Sequence, residues 1–129
     1  KNDRLGPDYP FLSIDRINTR SSYTEGRLKK MIRFLKNIKT DAPVNIDLTS
    51  FDINAICYDI NPESYRNSYY LDLVRILWNK LYNLSQNEAE ANNLKSVDGT
   101  EYIFRYNPSK LENLKRLENE VWKIYNDIK

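Results

Sequence analysis

A chain of 129 residues is long enough for one domain with its own core, and 40% hydrophobic against 29% charged residues is an ordinary globular composition. The net charge of +2 excludes nucleic-acid binding through bulk surface charge, so any anion site must come from local clustering. A single cysteine excludes an internal disulfide, and the absence of histidine removes Ser-His and Cys-His nucleophile pairs, histidine general bases and most zinc sites.

Three glycines and five prolines favour helices over a loop-rich or barrel fold. Residues 1 to about 22 read as an extended lead-in, because Gly6-Pro7 and Tyr9-Pro10 punctuate them and the residue before each proline is pushed away from helix. Phe11, Leu12, Ile14 and Ile17 are placed to pack that lead-in against helices. A first helix, capped by Thr24 or a nearby serine, is predicted to run to about Ile38. Its Leu28, Met31, Ile32, Leu35 and Ile38 share one stripe at the 3.6-residue period. Lys29, Arg33 and Lys36 fall on the other side, with Lys36 near the edge of the stripe.

The second helix opens at Thr49 or Ser50 and stops by Asn61-Pro62. Asp52, three residues after Thr49, approaches a capping box and suits the positive end of a helix. Ile53, Ile56, Cys57 and Ile60 lie on its apolar stripe, so Cys57 reads as a small buried core residue. A third helix starts between Glu63 and Tyr69 and reaches at least Leu84. Tyr70, Leu71, Leu73, Val74, Leu77, Trp78, Leu81 and Leu84 give it a stripe wide enough for a largely buried helix.

Residues 86–95 either extend that helix or form a separate short one. Asp98-Gly99, flanked by Val97 and by Tyr102 to Phe104, is a turn signal compatible with a small hairpin over 96–105. Asn107-Pro108 opens the last helix, with Leu111, Leu114, Val121, Ile124 and Ile128 on its apolar face and Leu117 and Trp122 beside it. The expected architecture is mainly α: one domain, a bundle of about four to five helices, with the extended lead-in and the small β element.

The chemistry concentrates in the first two helices. A row of Lys29, Arg33 and Lys36 is either a solvated face or a cationic surface for an anion. Ser50-Phe51-Asp52 is either a capped helix start with a packing phenyl ring, or a ligand platform. In the second case the serine and the helix N-terminus meet phosphate and Phe51 stacks on a base. The ten tyrosines show no repeating register and read as core-edge residues with their hydroxyls at water. Glu88 with Glu90, and Glu118 with Glu120, read as solubilising pairs. No Gly-x-Gly, P-loop, Asp-x-Asp or metal-ligand spacing occurs, so the chain is not expected to catalyse a reaction alone.

Arg27 to Lys36, a short loop, and then Leu48 to Tyr58 resemble the helical second half of template-independent nucleotidyltransferases. These form the DNA polymerase β-like superfamily, with oligoadenylate synthetases, bacterial oligonucleotide cyclases, poly(A) polymerases and archaeal CCA-adding enzymes. The segment from Val97 to Phe104 is also similar to one that precedes the last helix of that domain. The resemblance spans residues ~10–125 loosely and ~26–60 more specifically. It implies that Lys36 contacts a triphosphate, that Ser50 contacts phosphate, and that Phe51, where tyrosine is usual, stacks on the base. Lys29 and Arg33 have no firm counterpart and are weaker candidates for the same nucleotide site.

By the same resemblance, catalysis needs a lobe bearing Gly-Ser, three carboxylates and two Mg²⁺ ions, and no such motif is present in this chain. The chain begins without methionine and is expected to be the C-terminal fragment of a longer bacterial-type enzyme, partnered by nucleoside triphosphate and that catalytic lobe. An RNA or protein acceptor is compatible with the same reading. Without a signal peptide or an apolar run near the ~20 residues that span a bilayer, the expected setting is cytoplasmic with no membrane partner. The alternative is a small helical module that binds protein or RNA and has no nucleotide site.

Overall fold

The computed structural model describes residues 9–129, and Gly6-Pro7 lies outside them. Among the described residues the fold is mainly α, with seven helices and no strand. They are α1 (Pro10–Tyr23), α2 (Arg27–Asp41), α3 (Ser50–Tyr58), α4 (Pro62–Tyr65), α5 (Tyr70–Gln86), α6 (Glu88–Asn93) and α7 (Pro108–Ile128).

The extended lead-in is corrected by α1, which occupies residues 10–23. Proline excludes helix from the residue before it but suits the first helical turn, where its N–H is not needed. Tyr9 is accordingly non-helical and Pro10 begins the helix. Long-range contacts then hold α1 in place. Asp98 accepts the Tyr9 N–H at 2.9 Å, Arg16 donates to the Val97 carbonyl at 2.7 Å, and Arg20 donates to the Tyr58 carbonyl while lying over the Tyr58 ring. None of these is local in sequence.

In α2 the buried residues are Leu28, Met31, Ile32, Leu35 and Ile38, the stripe that the period predicts. Gly26 sits in the left-handed region at its N-cap, with φ 82°. The Thr24 hydroxyl still serves the first turn by accepting the Leu28 N–H. α2 packs on α3, whose Ile53, Ala55, Ile56 and Cys57 are buried. Tyr65 of α4 is buried beneath α3 and donates to the Cys57 carbonyl at 2.8 Å.

The most extensive helix contact joins α5 and α7. Leu73, Val74, Leu77, Leu81 and Leu84 of α5 are buried, whereas Tyr70 and Leu71 in its first turn are exposed. In α7 the buried set is Asn113, Leu114, Leu117 and Val121, so Leu117 belongs to the core and Ile128 at the frayed end does not. Glu118 is more than a solubilising residue: its carboxylate accepts the Trp78 indole N–H at 2.8 Å and ties the two helices together.

Between α6 and α7, at the place of the expected small β element, an antiparallel bridge joins Lys95 with Tyr102 around a tight turn at Gly99 (φ 77°). Backbone bonds close it, from the Ser96 N–H to the Glu101 carbonyl at 2.8 Å and from the Ile103 N–H to the Leu94 carbonyl at 3.0 Å, and side chains reinforce it. Asp98 accepts from the Ser96 hydroxyl at 2.7 Å, the Thr100 hydroxyl at 2.8 Å and the Thr100 N–H at 3.2 Å, besides the Tyr9 N–H. Burial pushes the Asp98 carboxyl up, but these donors outweigh it and hold it below the usual carboxylate value. A depressed folded pKa contributes stability that is complete above the unfolded value of about 4 and is lost as pH falls through the folded one. Asp98→Asn should therefore cost about 1–3 kcal/mol at neutral pH. In urea melts from pH 7 to pH 2.5, the gap from wild type should close below pH about 4. A gap independent of pH would remove the carboxylate charge from the explanation.

Candidate functional site

The α2–α3 pair places the sequence-derived candidates at different depths. Lys29 and Arg33 are exposed on α2, and Lys36 is half-buried at the edge of the apolar stripe. Among the described residues, none of these three cationic heads has a hydrogen-bond or ion-pair partner. Burial pushes the Cys57 thiol up to about 12, against the opposing field of the Lys36 ammonium. The thiol is therefore neutral and belongs to the core rather than to the chemistry.

Ser50 is exposed at the first position of α3, and Phe51 packs against the core with part of its ring uncovered. Thr49 is the cap. Its hydroxyl accepts the Asp52 N–H at 3.1 Å and its own N–H donates to Asp52 at 2.9 Å, completing a capping box. The Ile53 N–H is taken by the Thr49 carbonyl. Among the described residues, the N–H groups of Ser50 and Phe51 are left without a partner, next to the exposed serine hydroxyl. Two open amides and a hydroxyl at a helix N-terminus form a donor set for an anion.

Ser50 sits at the first turn of α3, and Lys36 lies on α2, which packs on α3. Lys29, seven positions before Lys36, borders a shallow open depression with Ser21, Ser22 and Glu25 at the α1–α2 turn. Arg33 lies between the two.

Three residues of α7 that sequence reasoning passed over hold this region from behind. Lys110 pairs with the fully buried Asp52 carboxylate at 2.9 Å. Asn113 accepts the Asp47 N–H at 2.7 Å, and Arg116 donates to the Asn45 carbonyl at 3.1 Å. Their spacing of i, i+3 and i+6 puts them on one flank of α7, and Asn113, a polar residue amid the apolar stripe, was the available signal.

The model of the cGAS/DncV-like nucleotidyltransferase C-terminal helical domain matches residues 15–126. The chain belongs to this family. Curated relatives include a c-di-GMP synthase of Lachnospiraceae bacterium (strain RUG226), 54% identical over 95% of this chain and 35% of the relative. A c-di-GMP synthase of Flavobacteriaceae sp. genome_bin_11 is 48% identical over 94% of this chain and 34% of its own length. The solved structure of a STING-associated CdnE c-di-GMP synthase from Capnocytophaga granulosa superimposes with a TM-score of 0.92. It is 56% identical over 95% of this chain and 40% of that one. The present chain thus spans about a third of the length of the curated relatives it matches.

A cGAS/DncV-like helical domain is the kind of lobe that the Arg27–Lys36 and Leu48–Tyr58 segments resemble. Among the described residues, no three His, Cys, Asp or Glu side chains gather in a group that could hold a metal ion. Nor, among the described residues, is any helix long and apolar enough to cross a membrane.

Proposed function

We propose that this domain is the nucleoside-triphosphate-binding lobe of a cyclic dinucleotide synthase, holding phosphate and base beside a catalytic lobe outside this chain. The observation that carries the reading is the family match over residues 15–126, with relatives named as c-di-GMP synthases. Local chemistry supports it. Lys36 has an ammonium with no partner among the described residues, fixed at the edge of a packed helix. Its role is to offset triphosphate charge. Ser50 and the two open amides donate to phosphate oxygens. Phe51, immobilised against the core, offers its uncovered ring to a nucleobase, a contact worth roughly 1–3 kcal/mol. Without the hydroxyl of a tyrosine, it contributes stacking alone. The acceptor in this reading is a second nucleotide.

The test is a chimera in which the present chain replaces the equivalent C-terminal segment of the Capnocytophaga granulosa synthase. The expected result is cyclic dinucleotide synthesis from GTP, with the folded chimera protected by GTP in thermal melts. A chimera that melts cooperatively yet neither turns over nor is stabilised by any nucleoside triphosphate would overturn the proposal.

A further inference from the structure

We infer that Lys110 is a positioning residue for the nucleotide, acting through Asp52 on the first turn of α3. This rests on the nucleotide-binding reading above. The argument begins with a conflict at that turn. Asp52 completes the capping box, so a carboxylate, fully buried, stands within the turn whose open amides face an anion. An unpaired carboxylate there repels phosphate and is costly to bury.

Lys110 resolves the conflict. Its ammonium lies 2.9 Å from one Asp52 oxygen while the other oxygen accepts the Thr49 N–H at 2.9 Å. A single carboxylate therefore separates the lysine from the helix cap. Lys110 is 34% exposed, so its charge is also felt on the solvent side of the turn. Neutralising Asp52 in place leaves the Ser50 and Phe51 amides as the net local field, favourable to an anion.

The same flank of α7 fixes the approach to that turn. The Asp47 N–H is held by Asn113 and the Asn45 carbonyl by Arg116. Asn113 is itself oriented, its amide donating to the Ser109 carbonyl at 2.8 Å. Loop 45–49 and the start of α3 are thus registered on α7, which is rigidly packed on α5. Placement of the donors on α3 is inherited from a helix that carries none of the candidate phosphate contacts.

In the chimera, Lys110→Met should raise the KM for GTP about tenfold while kcat stays within about twofold, the pattern of lost nucleotide binding. Lys110→Arg, which keeps the charge and the reach to Asp52, should recover most of the affinity. Lys80→Met is the control, since it breaks the Lys80–Asp59 pair beyond the far end of α3 and should leave KM unchanged. Lys110→Met with a lowered melting temperature but wild-type KM, measured well below that temperature, would reduce Lys110 to a structural role and overturn the inference. If Lys36→Ala and Ser50→Ala are silent as well, the nucleotide-binding reading fails with it. If those two weaken GTP binding and Lys110→Met does not, the inference alone fails.

Discussion

Lys36→Ala, in a protein that joins this domain to its catalytic lobe, is expected to lower kcat/KM for the nucleotide about 10- to 100-fold. That range corresponds to the roughly 1.5–3 kcal/mol of a hydrogen bond to a charged group. Stability should hardly change, because the Lys36 ammonium has no partner among the described residues and its stem lies at the edge of the α2 stripe. Arg33→Ala, on an exposed position of the same helix, should cost far less, since an exposed charge acts through screened water. Steady-state kinetics of both variants at 50 and 300 mM salt separate the two. Equal losses, both shrinking with salt, would replace a specific phosphate contact by diffuse steering.

The largest effect on stability is expected at Leu77. It is fully buried on α5, so Leu77→Ala should cost about 2–5 kcal/mol and lower the melting temperature by roughly 10 °C. Leu71 lies on the same predicted stripe and the same helix but is 42% exposed. Leu71→Ala should stay within about 0.5 kcal/mol. Thermal and urea melts of the pair test whether burial, not membership of the stripe, sets the cost. Similar losses at both positions would mean that another element covers Leu71 in solution.

The capping box at Thr49 and Asp52 was legible because it uses local spacing and side chains that reach only their own turn. The α2 stripe was legible for a related reason: one face of a surface helix must be apolar. Helix α1 was not. Its Pro10 looks like a break when read residue by residue, and what holds it are partners in residues 58, 97 and 98. The turn at Asp98-Gly99 was legible from its own residues, and the structure adds its extent, an antiparallel bridge between Lys95 and Tyr102.

The candidate site divides in the same way. Residue types and spacing named Lys36, Ser50 and Phe51, and the likeness of two segments to a family of nucleotidyltransferases gave them roles. Composition also set limits: without histidine, this chain has no Ser-His or Cys-His nucleophile pair. The folded structure shows Thr49 as the cap, through its local bonds with Asp52, and leaves the Ser50 side chain exposed. It alone brought Lys110, Asn113 and Arg116 behind the α3 turn. Periodicity and capping are written within a few residues of chain, so the sequence determines them directly. A contact between positions 52 and 110 forms only when both helices dock on the same core, so only the folded packing could show it.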